Sequence, residues 1–253
     1  MSKRTILITG ASGLVGKNLT HHFLSKGDRV IGVLRCSKKA DILQEEFSKY
    51  NNSFTIVLAD FDEANAIESV LKQLVANGLE PSCVINNARN RENLEVGVDG
   101  VVAESKFMKE FLIDVIIPYQ LTMGIHNMVE SRLKYVVNVS SQYGVVAFNQ
   151  NLYAKPDIET PIHYSVAKAA LIHLTKELAV RLAPKGINVN CVSYGGIKGR
   201  TDTDFESRYT SLCPQQRMLT EVDVAGPIDS LISGKCDSII GHNLIVDGGW
   251  SIW

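Results

Sequence analysis

The chain has 253 residues, 45% hydrophobic and 21% charged, which suits one large folded domain rather than a disordered or membrane-embedded chain. A net charge of −1 gives no electrostatic basis for a nucleic-acid or anionic-membrane partner, and no apolar stretch reaches membrane-spanning length. Five scattered cysteines without a Cys-x-x-Cys, and six histidines that form no cluster, argue against a disulfide framework or a metal site and fit a reduced, cytoplasmic protein.

Short apolar runs at 5–9, 29–34, 54–59, 82–86, 135–139, 187–193 and 243–246 read as buried strands. Helical patterns at 14–26, 40–50, 64–77, 104–130, 161–183 and 221–233 separate them. Strands joined by helical crossovers predict an α/β fold, a doubly wound, mostly parallel seven-stranded sheet covered on both faces. Pro118 is expected to kink its helix or divide it in two. Residues 148–160 and 199–217 fit no element, and both follow strands. Segments at about 145–162 and 197–219 are therefore expected to be substrate loops at the carboxyl edge, where open α/β sheets bind ligands.

The first strand runs into Thr9-Gly10-Ala11-Ser12-Gly13-Leu14-Val15-Gly16, which opens the first helix. Glycines there permit a tight turn and let the backbone approach a pyrophosphate, which the helix N-terminus stabilises. Gly10, Ser12, Gly13, Leu14, Val15 and Gly16 are therefore candidate cofactor contacts, and residues 1–253 read as a single NAD(P)-binding domain. The second strand ends at Leu34-Arg35, without the acid that would accept from adenosine ribose hydroxyls. A guanidinium suits a 2′-phosphate, so Arg35 favours NADP(H), with NAD(H) the alternative. Asp60 and Phe61 after the third strand, and Asn87 and Ala88 after the fourth, are expected to border the adenine and its ribose.

Tyr164 and Lys168 lie four apart at the start of a long helix, which puts both on one face. A phenol is a poor acid or base near neutral pH, and a fixed cation nearby favours its ionised form. The spacing alone is weak, because Tyr194 and Lys198 share it across Gly195 and Gly196.

Taken in order, Thr9-Gly10…Gly13…Gly16, Asp60, Asn86-Asn87-Ala88, Asn138-Val139-Ser140-Ser141, Tyr164…Lys168 and Val246-Asp247-Gly248-Gly249 resemble the short-chain dehydrogenase/reductase family over essentially the full length. The resemblance implies a single Rossmann-type domain and reversible hydride transfer between a nicotinamide and a secondary alcohol or ketone. It also implies roles. Ser141 polarises the substrate oxygen, Tyr164 transfers its proton, and Lys168 tunes Tyr164 while binding the nicotinamide ribose. Gly195 and Ile197 border the nicotinamide, and no metal is needed. Four departures from the family pattern stand out. The glycine spacing is that of a longer, sugar-nucleotide-modifying branch. Arg89 replaces a glycine, and Tyr194 replaces a proline beside the nicotinamide. Asp114 replaces the asparagine that holds a proton-relay water.

Ser141 and Tyr164 are also 23 positions apart (164 − 141), farther than is common in the family. The extra residues, with Gln142–Ala147 and Pro161–Tyr164 around them, are similar to dehydrogenases of bacterial flagellin modification and legionaminic (nonulosonic) acid pathways. A sugar, sugar phosphate or nucleotide-activated sugar is the substrate this implies. Gln142, Tyr143, Tyr153, His163, Tyr194 and Arg200 are the candidate contacts, with Arg208 and Arg217 as further loop cations. A 3-oxoacyl-thioester reductase and a non-catalytic NADP-binding sensor are the alternatives. Relatives commonly form dimers or tetramers, for which residues 107–128 and the terminal 250–253, with its two tryptophans, are candidate contacts.

Overall fold

Ile6, Leu7 and Ile8 are all fully buried, so successive side chains of the first strand are covered on both sheet faces. The computed structural model describes residues 3–199 and 201–253; Arg200 lies outside the described residues. The strands are β1 (Thr5–Thr9), β2 (Arg29–Leu34), β3 (Phe54–Leu58), β4 (Cys83–Asn86), β5 (Tyr135–Ser141), β6 (Asn188–Tyr194) and β7 (Asn243–Val246). They form one seven-stranded sheet in the order β3-β2-β1-β4-β5-β6-β7, every neighbouring pair parallel. The order reverses between β1 and β4, and a crevice opens there at the carboxyl ends.

One face packs Ile6, Ile8, Phe54 and Val192 under α1 (Leu14–Ser25), α2 (Ser37–Glu46) and a late helix, α9 (Val222–Leu231). The opposite face packs Leu7, Ile31, Val57 and Val189 under α3 (Ala66–Ala76), α5 (Ile117–His126) and α7 (Ile162–Leu182). Among the described residues no helix is long and apolar enough to cross a membrane.

Three expectations change. The helix expected over 104–130 is α4 (Glu104–Phe111), a π-helical turn at Leu112–Ile116, and α5, which ends at His126. Pro118 stands in the first turn of α5, where the expected helix divides. It lacks an N–H for the carbonyl of Asp114 and crowds that carbonyl, so the preceding turn widens. Second, 148–160 contains a short helix, α6 (Pro156–Glu159), and 199–217 contains a ten-residue helix, α8 (Thr203–Leu212). The side chain of Asp202 caps α8 by accepting from the Phe205 amide at 2.7 Å. Third, Trp250 is only 6% exposed and stacks on Tyr209 at 4.4 Å, so the chain end presents one free indole, Trp253.

Candidate active site

The crevice continues into a cleft of about 1550 Å³ along the carboxyl edge. At its nucleotide end the backbone is fixed by contacts only glycine allows. Gly10 has φ +67°, and a Cβ there would lie 2.9 Å from the Ala88 Cα. A Cβ on Gly16 would fall 2.2 Å from the Gly10 carbonyl oxygen. Thr9 Oγ1 accepts from the amides of Asn87 and Ala88, both at 2.9 Å, and Asn87 Nδ2 donates to the Thr9 carbonyl at 2.9 Å. These bonds lock the ends of β1 and β4 together. Gly13 begins α1 and no side chain caps it, which leaves first-turn N–H groups for an anion.

Ser12, Leu14, Val15, Arg35, Asp60, Phe61 and Ala88 all line this half of the cleft. Arg35 is half-exposed and reaches Glu92 at 3.5 Å, a loose pair that a phosphate can displace. The glycine cradle, the uncapped helix start and the basic rim fit a nicotinamide dinucleotide.

At the other end β5 delivers its two serines to opposite sides, as a strand must. Ser140 Oγ donates to the Lys168 carbonyl at 3.0 Å, while Ser141 accepts from the Tyr143 amide at 3.2 Å and lines the cleft. The first turns of α7 bring Tyr164 and Lys168 to the same wall. Lys168 is 5% exposed, and its Nζ donates to Asp114 Oδ1 at 2.8 Å and to the Val139 carbonyl at 3.0 Å. Two of three ammonium donors are thus held and one remains for the cleft. Burial opposes the Lys168 charge, but Asp114 and Tyr164 outweigh it and move the pKa above its ordinary value. The ammonium lies 5.8 Å from the Tyr164 ring centroid. On the same ring, at 4.6 Å, sits the guanidinium of Arg89. A buried amide ladder, Asn86 to Asn138 at 2.8 Å and Asn138 to Thr175 at 2.9 Å, ties β4, β5 and α7 into one frame beneath them.

The third wall is aromatic. Tyr143 and Tyr153 share a hydrogen bond at 2.7 Å, and Phe148 packs 4.0 Å from the Tyr143 ring. Tyr153 then meets Phe205 of α8 at 5.7 Å. Tyr209 donates to Gln142 Oε1 at 3.0 Å and accepts from the Gly196 amide at 2.9 Å, which fixes the turn after β6. Arg208 Nε holds the Leu152 carbonyl at 2.8 Å, joining α8 to the segment after β5. Burial raises the pKa of the Tyr143, Tyr153 and Tyr209 phenols, so this wall is neutral.

Gln142, Tyr143, Tyr153, Gly195 and Ile197 therefore line the cleft with the Ser141, Tyr164 and Lys168 set. Two expected substrate contacts point largely into the protein, and one of them lies away from the cleft. His163 is fully buried and its Nε2 meets the Asn93 carbonyl at 2.7 Å, because the helix rotates it 100° away from Tyr164. Tyr194 lines the cleft, but it is buried in the core cluster and its hydroxyl donates to the Val224 carbonyl. Asp114 stands behind Lys168, not in the cleft. Phe205 and Tyr209 were missed, although an Asp202 cap followed by Phe205, Tyr209 and Leu212 at helical spacing marks α8.

A family model described as short chain dehydrogenase matches residues 4–210. The chain belongs to the short chain dehydrogenase family. Among curated relatives of this short chain dehydrogenase is the 3-oxoacyl-acyl-carrier-protein reductase FabG of Buchnera aphidicola, 28% identical over 98% of both chains. Another is the post-translational flagellin modification protein A of Campylobacter coli, 32% identical over 46% of each chain. Among solved structures, ElxO with NADP bound matches at TM-score 0.85 and 26% identity, covering 99% of this chain and 100% of that one. The chain is an NAD(P)-binding oxidoreductase acting on CH–OH or keto groups.

Proposed function

We propose that this short chain dehydrogenase interconverts a secondary alcohol and a ketone on a sugar, sugar phosphate or nucleotide-activated sugar, with NADP(H) as its preferred cofactor. The observation that carries the reaction is the convergence of Ser141, Tyr164 and Lys168 on one wall of the cleft. The glycine turn, the start of α1 and Arg35 hold the dinucleotide, with Asp60 and Ala88 at the adenosine and Gly195 and Ile197 at the nicotinamide. The nicotinamide, when bound, supplies or accepts the hydride. Ser141 donates to the developing alkoxide, and Tyr164 gives its proton to the same oxygen during reduction or takes one during oxidation. Lys168, fixed by Asp114 and Val139, holds positive charge beside the phenol and offers its free donor to the ribose.

The sugar reading is supported by the wall of Tyr143, Phe148, Tyr153 and Phe205 beside the cations Arg89 and Arg208. Flat rings stack on the apolar faces of a sugar, and guanidinium groups take phosphates. The relation to FabG favours a second reading, 3-oxoacyl-thioester reduction. A panel of keto-sugars, sugar nucleotides and acetoacetyl thioesters with NADPH and NADH, against Tyr164→Phe, decides between them. Preference for the thioester overturns the sugar assignment. Cofactor binding without turnover of any substrate makes the protein a sensor. Exposed Met108, Ile116 and Tyr119, with Trp253 at the chain end, fit a homodimer or homotetramer, which sedimentation measures.

A further inference from the structure

Arg89 follows the point where β4 is tied to β1, and the residues on either side of it are pinned. The Ala88 amide donates to Thr9 Oγ1 at 2.9 Å. Asn90 is buried, donates to Asp62 at 3.2 Å and caps the turn Arg91–Leu94 by accepting from the Glu92 amide. From this fixed stretch of backbone the Arg89 side chain lines the cleft, with its guanidinium 4.6 Å from the centroid of the Tyr164 ring. Attraction to a ring face engages the charge but none of the five N–H donors.

Among the described residues no hydrogen bond or ion pair engages those donors. The carboxylates that line the cleft are committed elsewhere: Asp60 to the Asp62 amide, Asp62 to Asn90, Glu92 to Arg35, Glu95 to Lys106, Glu159 to the Lys155 amide and Asp202 to the Phe205 amide. Glu110 feels the Arg89 charge, but both of its oxygens are buried and unpaired. Burial first, and the Asp114 charge second, push Glu110 up to about 7, against the weaker pull of Lys168 and Arg89, so it is a poor counter-ion. Burial and the Arg89 charge also oppose the Lys168 ammonium, which Asp114 and Tyr164 more than restore. The reaction centre thus holds two neighbouring cations, one with a counter-ion and one without. An incoming anion is stabilised there.

We propose that Arg89 takes an oxyanion, a carboxylate or phosphate, that the organic substrate carries within a few bonds of its reacting carbonyl carbon. The inference rests on the reading of Tyr164 as the group that transfers a proton to the substrate oxygen. Because the guanidinium overlies the ring that ends in that hydroxyl, the group it binds sits beside the reacting carbon and not at the far end of a long substrate. A planar fork matches either oxyanion with two parallel hydrogen bonds. Acidic keto-sugars are then preferred over neutral ones, and a 3-oxoacyl thioester has no anion at the required place.

The test compares ketones matched except for charge, acetoacetate with acetoacetamide and dihydroxyacetone phosphate with dihydroxyacetone, each with NADPH. Wild type should prefer the charged member of at least one pair by roughly tenfold or more in kcat/KM, the scale of charge-assisted hydrogen bonds. Which pair shows it separates carboxylate from phosphate. Arg89→Gln should erase the preference, mainly through KM, and Arg89→Lys should restore part of it, since an ammonium keeps the charge without the fork. No charge preference in either pair, or one that survives in Arg89→Gln, overturns the proposal. An equal loss of NADPH affinity in fluorescence titrations overturns it as well, because Arg89 would then be holding the cofactor. If none of the four ketones is reduced, binding decides alone: malonate or inorganic phosphate should raise the melting temperature of the NADP⁺-loaded wild type, and much less that of Arg89→Gln. No rise in the wild type, or equal rises, sinks the anion site. Tyr164→Phe keeps the ring and should keep this rise, so failure of the proton-transfer reading and failure of the anion site are read apart.

Discussion

The two ends of the cleft are built from different parts of the chain. At the nucleotide end the backbone does the shaping: Gly10 and Gly16 tolerate no Cβ, and side chains mainly hold loops together, as Asn87 does for Thr9. At the other end side chains do it, with Tyr143, Phe148, Tyr153, Phe205, Tyr209 and Trp250 in successive ring contact from the segment after β5 through α8 to Trp250. A backbone constraint leaves few residue choices, so it prints a motif. A side-chain wall can be assembled from many sequences, so it prints none.

The comparison can be broken first at the junction. Tyr164→Phe should cost roughly 10²–10⁴-fold in kcat while cofactor affinity and melting temperature stay near wild type; retained turnover would end the proposed chemistry. Next, at the backbone end, Gly16→Ala gains about 1 kcal/mol of helix propensity. The clash at 2.2 Å outweighs that gain, because the obstacle is a main-chain carbonyl. A net loss of about 1–3 kcal/mol in denaturant melts and failure to bind the dinucleotide are expected.

Behind the junction, Glu110 makes stability depend on pH in a stated direction. Its folded pKa, about 7, stands above the ordinary carboxyl value of 4.5, so the folded chain binds the extra proton between them. The stabilisation is fully present below about pH 4.5 and is lost as pH rises through about 7. Glu110→Gln should abolish that loss and be the more stable protein above neutrality by on the order of 2 kcal/mol. Urea titrations of both proteins across the window measure it.

Two smaller effects sharpen the contrast. Arg35→Ala should weaken NADP(H) by about tenfold or more, the scale of charge-assisted hydrogen bonds, and leave NAD(H) nearly unchanged in fluorescence titrations. Tyr153→Phe removes the bond to Tyr143, worth about 1 kcal/mol. It should alter KM for the organic substrate several-fold and cofactor affinity not at all; an equal change in both would mean that the two ends are not separable.

How much was legible follows the same division. All seven strands read correctly: the inner ones are apolar runs buried on both faces, and the half-covered edge strands β3 and β7 are still short apolar runs that length suffices to find. The glycine turn and the Tyr164–Lys168 pair were legible because local geometry demands those residues at those spacings. Helix α8 was missed because two substrate-side aromatics and several charges mask its short apolar stripe, although Asp202 announces its start.

What the sequence determined unaided was the order of elements, the parallel sheet and the chemistry gathered at its carboxyl edge, since local periodicity and backbone sterics carry these. Only the tertiary structure decided that Tyr194 and His163 turn inward, that Trp250 stacks on Tyr209, and that Glu110 lies buried behind Lys168. Each of those outcomes depends on which surface a side chain meets after distant segments pack. No spacing along the chain encodes it.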